Sequence, residues 1–225
     1  MNLYKYESYK LLSKALVSFF RQFVESNEKS FIISGGSSPK QFLRYLAEEP
    51  LDWPKISLIL SDERLVSPKD KKSNYRFIKM NILDRIGKNQ EPDFFPTLKF
   101  YSSDVKDLIE RLNDSYKTLP KPAIAFIGVG QDGHFASIFP NHSKPKHSSG
   151  YFLVNNEDED FYRISLTIEE FLSCKNIFLL IHGNEKKSVL KRILDLEERD
   201  DIPILHFLSQ FKGEVNVCTD IEIST

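Results

Sequence analysis

The hydrophobic residues of this chain follow two kinds of spacing. One stretch has apolar residues at helical spacing and predicts a helix over about residues 7–25. Its apolar positions are Leu11, Leu12, Ala15, Leu16, Phe19, Phe20 and Phe23. Short runs of consecutive apolar residues predict buried strands instead. They are SFIIS at 30–34, KISLIL at 55–60, AIAFIGV at 123–129, YRISLT at 162–167 and NIFLLIH at 176–182.

Helices are predicted between these strands, so the two kinds of element alternate. The helices cover about 39–48, a segment starting near Asn74, a segment starting near Asp104, and the residues after NIFLLIH through about Asp195. Near the C-terminus, IPILHF at 202–207 is interpreted as a loop and EVNVCTD at 214–220 as an edge strand. Alternating strands and helices favour an α/β fold, with a mostly parallel, Rossmann-like sheet and helices on both faces. The polar stretches between elements are too short to be domain linkers, so one domain over 1–225 is predicted.

Charge and cysteine content exclude several classes of function. The chain has 31 basic and 32 acidic residues and a formal net charge of -1, so no overall field attracts nucleic acid or anionic membrane. Its two cysteines, Cys174 and Cys218, indicate neither a disulfide framework nor a zinc cluster, and they fit a reducing cytosol. No apolar run reaches membrane-spanning length, and the N-terminus is too polar for a signal peptide. We therefore expect a cytoplasmic protein that binds neither nucleic acid nor membrane.

Polar clusters follow four of the predicted strands. They are GGSSP at 35–39, SDER at 61–64, GQDGH at 130–134 and HGNEKK at 182–187. Ligands of open α/β sheets bind beyond the carboxyl ends of the strands, so we expect these clusters to meet at one edge of the sheet. That convergence predicts an active site.

Each of the smaller signals has an ordinary structural interpretation beside a functional one. GGSSP suits an anion at a helix start, because glycines expose backbone amides and Ser38 can cap the helix, but a plain turn uses the same residues. Arg64 in SDER either holds substrate oxygens or pairs with a carboxylate of its own protein. Lys186 and Lys187 oppose the helix dipole, which fits a phosphate between them and the helix, or they are solvated lysines. Arg163, which opens the run RISLT, is either an edge arginine or a ligand.

The third cluster contains the pattern G-x-G-x-x-G, formed by Gly128, Gly130 and Gly133. A dinucleotide site needs a full helix after these glycines and an acidic residue about twenty positions further, at a strand end. Pro140 stops any helix that begins at Gly133 after about two turns, and the acidic run YFLVNNEDED has no clear strand end. The pattern is therefore interpreted as a tight turn that presents His134.

His134 and Asp132 together have the chemistry of a general base. A neutral imidazole accepts protons near pH 7, and a carboxylate two residues away can fix its tautomer and stabilise its charged form. No serine or cysteine has the context of a strained nucleophile, so water is the expected nucleophile. Two alternatives stay open: a structural histidine bonded to backbone, and a metal site with His142 and His147, whose spacing fits no metal motif.

Taken in order, these stretches resemble the 6-phosphogluconolactonase family, which belongs to the same superfamily as glucosamine-6-phosphate deaminase. The matching stretches are GGSSP, SDER, SNYR at 73–76, GVGQDGHFASIFP at 128–140, RISLT at 163–167 and GNEKK at 183–187. The resemblance implies the fold shared by that superfamily. It also implies hydrolysis of 6-phospho-D-glucono-1,5-lactone to 6-phosphogluconate, in the oxidative pentose phosphate pathway, without a metal or organic cofactor.

The resemblance also implies a role for each matching residue. His134 is the base that activates water, and Asp132 orients it. Arg163 and Lys186 match phosphate ligands. The full set implied to bind substrate is Gly35, Gly36, Ser37, Asp62, Arg64, Gly133, Arg163 and Lys186. The expected partner is a small phosphorylated sugar lactone, and the expected state is a monomer or a weak homo-oligomer.

Two other functions are weighed against the lactonase. Deaminases of the superfamily carry D-G-H-I-A-F-N-E-P and D-E-Y, whereas this chain has Phe139 in place of the glutamate and Arg64 in place of the tyrosine. A non-catalytic sugar-phosphate sensor usually carries an added DNA-binding segment. This chain has no spare length before its first helix and keeps both members of the Asp–His pair, so the lactonase is favoured.

The match has small departures and one open question. Gln131 stands where a proline is usual, and Ser38 stands where a threonine is common. The region after Leu190 matches weakly. The group that stabilises the developing oxyanion is open between the backbone amides around Gly133 and the guanidinium of Arg64.

Overall fold

The structure, a computed structural model, describes residues 1–87, 90–95, 105–140, 149–156 and 159–223. The strands are β1 (Asn2–Lys5), β2 (Ser30–Ile33), β3 (Ser57–Leu60), β4 (Asp62–Arg64), β5 (Asp93–Phe95), β6 (Ile124–Gly128), β7 (Tyr151–Asn155), β8 (Tyr162–Leu166), β9 (Asn176–Ile181) and β10 (Glu214–Thr219). The α-helices are α1 (Tyr9–Glu25), α2 (Lys40–Leu46), α3 (Asn74–Ile78), α4 (Val105–Tyr116), α5 (Ile168–Leu172), α6 (Lys187–Leu194) and α7 (Pro203–Gln210).

Seven of these strands form one sheet in the order β1-β10-β9-β6-β2-β3-β5. Every neighbouring pair in it is parallel, which confirms the predicted α/β class. The central strand is β6, as its apolar character on both faces predicted. All seven strands therefore end at the same edge of the sheet.

Helices cover both faces of the sheet, as predicted. On one face α1, α2 and α3 pack against alternate strand residues such as Phe31, Phe126 and Phe178. On the other face α4, α5, α6 and α7 pack against the neighbouring positions, such as Ile32 and Leu179. Side chains point alternately to the two faces of a strand, so strands with helices on both sides need consecutive apolar residues.

A second sheet was not predicted. It has three antiparallel strands in the order β4-β8-β7, and it lies beyond the carboxyl end of β3. The run YRISLT is a strand, as expected, but it is β8 of this small sheet and does not join the parallel one. The sheet brings Arg64 of β4 opposite Arg163 of β8.

The interpretation of the C-terminal elements was wrong in two places. The run IPILHF belongs to α7, with Pro203 in its first turn, where a missing backbone N–H costs nothing. The run EVNVCTD is the inner strand β10, because β1 pairs with its outer side. The short strand β1 carries mostly exposed residues, so its sequence lacks the apolar run by which the other strands were recognised. Within the described ranges, none of the helices is long and apolar enough to cross a membrane.

Candidate active site

Each of the four polar clusters that follow the predicted strands contributes residues to one cavity of about 490 Å³ at the carboxyl edge of the parallel sheet. Arg163, from the small sheet, closes the cavity on another side. The lining residues are Ser34, Gly35, Gly36, Ser37, Ser38, Asp62, Arg64, Asn74, Gly128, Val129, Gly130, Gln131, Asp132, His134, Ala136, Phe139, Arg163, Glu185 and Lys186. Every residue that the sequence assigned to the site is in this set except Gly133.

The turn after β6 is built to present His134. The amide of Gly130 donates to the carbonyl of His134 at 2.8 Å, and the amide of Gly133 donates to the carbonyl of Gly130 at 3.1 Å. A Cβ atom on Gly130 would lie 2.2 Å from two atoms of the His134 ring, which is too close for any side chain. The glycine pattern therefore serves the histidine, and the described residues 134–140 that follow it are not helical, in agreement with the interpretation of the motif.

His134 and Asp132 form a close pair. The ring Nδ1 lies 2.6 Å from Oδ1 of Asp132, and the same oxygen accepts the backbone amide of His134 at 3.1 Å. Partial burial raises the pKa of Asp132, but the hydrogen bonds and charge of His134 outweigh it, so the net pKa is below its ordinary value. An ionised carboxylate only accepts hydrogen bonds, so a neutral His134 carries its proton on Nδ1 and its lone pair on Nε2.

Gly133 has a structural position that differs from the one assigned to it. It is buried and does not line the cavity. Its φ of +82° suits glycine, and a Cβ atom there would lie 2.3 Å from Ile202. Its carbonyl accepts the amide of Ile204 at 3.0 Å, which ties the histidine turn to the start of α7. The position of Gly133 therefore does not support a direct part in substrate binding.

The glycine turn after β2 lies against Lys186. The Nζ atom of Lys186 donates to Oγ of Ser38 at 2.7 Å, and burial lowers the pKa of this lysine. Gly35 has no room for a side chain, because a Cβ atom would lie 2.2 Å from Oδ1 of Asn74. The neighbouring Lys187 is exposed and does not line the cavity. The structure thus distinguishes the two lysines, which the sequence alone did not: Lys186 lines the cavity and Lys187 does not.

Asp62 is a buried anchor between two elements of the site. One carboxylate oxygen accepts the hydroxyl of Ser61 at 2.9 Å, and the other accepts the hydroxyl of Ser137 at 2.7 Å. Since Ser137 follows the histidine turn, this contact joins β4 to the loop that carries His134. Asp62 is 4% exposed, and each of its carboxylate oxygens is already hydrogen-bonded to a serine hydroxyl of the protein.

The two arginines of the small sheet differ in how much of their charge is already neutralised. Arg163 makes a two-pronged ion pair with Glu159, and its hydrogen bonds lower the pKa of that glutamate despite an opposing effect of burial. Arg64 donates from Nη1 to the carbonyl of Lys72 at 2.8 Å. In the described part of the chain, no carboxylate lies within salt-bridge distance of Arg64.

The sequence drew attention to Phe139 and to the SDER cluster, but it did not predict the contacts that Phe139 and Glu63 make in the site. The ring of Phe139 lies 4.8 Å from the ring of His134 and 5.3 Å from the guanidinium carbon of Arg163. Glu63 is fully buried and accepts the amides of Arg64, Asn74 and Tyr75 at 2.6–2.8 Å, which fixes the SNYR segment. Two adjacent acidic residues within three positions of the end of an apolar strand are a signal that could have suggested a buried, hydrogen-bonded carboxylate.

A metal site has no support among the residues that the structure describes. No group of three or more His, Cys, Asp or Glu side chains there is placed to hold an ion. His142 and His147, named as partners of His134 in the metal alternative, lie outside the described residues.

Comparison with known proteins places the chain among sugar-phosphate enzymes. A family model described as glucosamine-6-phosphate isomerases/6-phosphogluconolactonase matches residues 7–216. A 6-phosphogluconolactonase of Helicobacter pylori (strain J99) is 28% identical over 223 residues, which is 96% of each chain. A probable 6-phosphogluconolactonase of Dictyostelium discoideum is 33% identical over 174 residues, which is 70% of each chain.

Solved structures share the fold over almost the full chain. A 6-phosphogluconolactonase from Shewanella baltica superposes with a TM-score of 0.85 at 24% identity and covers 98% of both chains. A monomeric glucosamine-6-phosphate deaminase superposes with a TM-score of 0.80 at 18% identity and covers 97% of both chains. The fold is thus shared by a lactonase and a deaminase, so the fold alone does not distinguish between these two activities. Since the family model spans nearly the whole chain, the protein belongs to the glucosamine-6-phosphate isomerase/6-phosphogluconolactonase family.

Proposed function

We propose that this protein hydrolyses 6-phospho-D-glucono-1,5-lactone to 6-phosphogluconate, with His134 as the general base. The observation that carries the proposal is the Asp132–His134 pair at the cavity, with Nδ1 held 2.6 Å from a carboxylate oxygen. That pairing leaves Nε2 as the nitrogen that can take a proton from water. Relatives named as 6-phosphogluconolactonases over 96% and 70% of the chain support the same substrate.

The proposed reaction has two proton transfers through His134. Nε2 takes a proton from water while the water oxygen bonds to the lactone carbonyl carbon, which gives a tetrahedral oxyanion. The oxyanion then collapses, the bond to the ring oxygen breaks, and the imidazolium returns its proton to that oxygen. The resulting carboxylic acid ionises in water. Asp132 stays ionised throughout and stabilises the imidazolium between the two transfers.

Arg64 is the better supported of the two groups considered for oxyanion stabilisation. The amides of Gly130 and Gly133 donate to carbonyls inside the histidine turn, and the amide of His134 donates to Asp132. These three donors are therefore occupied within the turn. Arg64 lines the cavity and has guanidinium N–H groups beyond the one bound to Lys72, so it can donate to the developing charge.

The phosphate end of the substrate is assigned to Lys186, the glycine turn and Arg163. Lys186 and Ser38 already contact each other, and the turn before α2 offers backbone amides to an anion. Arg163 faces the cavity with its charge shared by Glu159, so a phosphate there binds beside that glutamate or replaces it. We assign the two cations unequal roles, with Lys186 as the main phosphate ligand.

The deaminase is disfavoured at the same cavity. Phe139 stands at the position of the deaminase glutamate, and its ring centroid lies 4.8 Å from that of His134 and 5.3 Å from the guanidinium carbon of Arg163. Opening and isomerising an aminosugar needs further acid–base groups, whereas lactone hydrolysis needs an activated water and oxyanion stabilisation. We further propose that the chain acts as one catalytic domain in the cytoplasm, without metal or organic cofactor, as a monomer or weak homo-oligomer.

A paired assay tests the proposal. Formation of 6-phosphogluconate from freshly made phosphogluconolactone is followed with the next dehydrogenase of the pathway, beside ammonia release from glucosamine 6-phosphate. We expect lactone hydrolysis well above the spontaneous rate and no ammonia. Ammonia release together with a spontaneous lactone rate would replace the lactonase with the deaminase.

A further inference from the structure

A second histidine–aspartate pair lies behind the glycine turn, outside the cavity lining. His182 follows β9, and its Nδ1 lies 2.8 Å from Oδ2 of Asp220, which follows β10. The His182 ring stacks on Tyr9 with ring centroids 3.8 Å apart and planes 8° apart. Neither His182 nor Tyr9 lines the cavity.

Tyr9 connects this stack to the glycine turn through its hydroxyl. The hydroxyl lies 2.8 Å from the carbonyl of Ser38 and 3.0 Å from the carbonyl of Ser37, and it accepts the amide of Gln41 at 3.1 Å. Burial raises the pKa of Tyr9, so the hydroxyl keeps the proton that it donates. The phenol oxygen of Tyr9 thus contacts two successive carbonyls of the turn and one amide in the first turn of α2.

The same turn is held from the cavity side by Lys186, whose Nζ donates to Oγ of Ser38. Ser38 therefore has a cavity-facing contact through its side chain and an outer contact through its backbone. Across a trans peptide the N–H and C=O groups point in opposite directions. A Ser37 carbonyl directed at Tyr9 therefore directs the amide of Ser38 away from Tyr9.

We propose that Tyr9 is a positioning residue for anion binding, and that the His182–Asp220 pair holds its ring in place. The inference rests on the proposed function, because it gives the Ser37–Ser38 turn the task of binding the substrate phosphate. The stack fixes the phenol, the phenol fixes the two carbonyls, and the Ser37 carbonyl fixes the orientation of the Ser38 amide, whose own side chain contacts Lys186. Tyr9 and His182 themselves touch no substrate.

The test compares Tyr9→Phe with the wild-type protein on phosphogluconolactone and on glucono-1,5-lactone, which has no phosphate. The variant keeps the aromatic stack and loses only the hydroxyl. We expect KM for the phosphorylated lactone to rise about three- to tenfold, the range for one net hydrogen bond, with kcat nearly unchanged. KM for the unphosphorylated lactone should stay at its wild-type value. An equal KM rise for both lactones, or none for either, would overturn the inference.

Tyr116→Phe is the matched control, since its hydroxyl bonds to Glu170 at 2.8 Å, between α4 and α5 and away from the cavity. It should lower thermal stability without changing the ratio of KM values. A second variant, His182→Leu, removes the stacking ring and should change the KM ratio in the same direction as Tyr9→Phe. A His182→Leu protein with a wild-type ratio would contradict the role given to the His182–Asp220 pair.

Binding of inorganic phosphate, measured by calorimetry on wild type and Tyr9→Phe, separates this inference from the proposed function. Phosphate binding that weakens in the variant supports the positioning role even if the wild-type protein hydrolyses neither lactone, in which case only the lactonase proposal fails. A wild-type lactonase with equal phosphate affinity in both proteins overturns the positioning role alone. A wild-type protein that binds no phosphate overturns the role as well.

Discussion

Two of the histidine–aspartate pairs in the described part of the chain follow strands of the parallel sheet, and their local geometry is almost the same. Nδ1 lies 2.6 Å from the carboxylate in His134–Asp132 and 2.8 Å in His182–Asp220. The histidine side chains are 35% and 34% exposed. Their surroundings differ: the His134 ring borders the cavity, whereas the His182 ring lies flat on Tyr9 outside it.

Because both histidines are oriented by a carboxylate, that pairing alone does not identify a catalytic base. The pairing fixes the tautomer in both cases and leaves Nε2 available. Only a ring that borders the cavity can pass a proton to or from a bound substrate. We therefore assign the His134 pair to the chemistry and the His182 pair to support of the anion-binding turn.

The sharpest test of this contrast replaces each histidine by alanine. His134→Ala removes the base and should lower kcat by about 10²–10⁴-fold with little change in KM. His182→Ala should leave kcat nearly unchanged and raise KM for the phosphorylated lactone. The coupled hydrolysis assay and a thermal melt on each variant provide both quantities. A folded His134→Ala protein with near wild-type turnover would end the assignment.

The aspartates give the next largest contrast. Asp132→Asn should lower kcat on the order of 10–10³-fold, because an amide cannot stabilise the imidazolium as a carboxylate does. In the proposed mechanism the rate decreases as the pH is lowered, because protonation of His134 removes the base. Without the carboxylate the imidazolium is less stable, so this fall should move to lower pH. Asp132 keeps its charge in the wild type, since its net pKa is below the ordinary value.

Asp220→Asn is the matched control for Asp132→Asn. An asparagine oxygen can still accept the hydrogen bond from His182, so kcat and its dependence on pH should stay at wild-type values. If the two asparagine variants gave the same loss of kcat, or if the pH profile of Asp132→Asn did not move, the two pairs would not have separate tasks.

The His134–Asp132 pair could be predicted from the sequence, and the His182–Asp220 pair could not. Asp132 and His134 are two residues apart on a turn whose glycines mark it as unusual. His182 and Asp220 are 38 residues apart and meet because β9 and β10 are neighbours. Sequence patterns do not give the order of parallel strands, and EVNVCTD was interpreted as an edge strand, so this contact could not be predicted.

The same limit applies to the rest of the site. The clusters at the four strand ends were predicted to converge, because parallel strands end at one edge whatever their order. The pairing of Arg64 with Arg163 and the bond from Asp62 to Ser137 depend on the small antiparallel sheet and the loop packed on it. Those contacts join segments that are far apart in the chain, and the local spacing of hydrophobic residues contains no information about them.

The two adjacent lysines test the proposed phosphate site while leaving the His134–Asp132 pair intact. Lys186→Ala removes a half-buried cation that contacts Ser38 and should weaken discrimination in favour of the phosphorylated lactone by roughly tenfold or more. Lys187→Ala removes an exposed charge outside the cavity lining and should change little. The measurement is the ratio of kcat/KM for lactones with and without phosphate. Equal losses on both lactones in Lys186→Ala would give that lysine another task.

The smallest expected effect is that of a chelator, and it tests whether the His134 ring is free to act as a base at all. If His134 were a metal ligand, Nε2 would be occupied by the ion, and the contrast with His182 would concern metal binding instead of proton transfer. The described residues offer no group of three ligands around His134, and its Nδ1 is taken by Asp132. We therefore expect kcat to survive prolonged dialysis against EDTA, and elemental analysis of the active protein to find no stoichiometric zinc. Activity that is lost on chelation and restored by one particular metal would replace the general-base mechanism with a metal-assisted one.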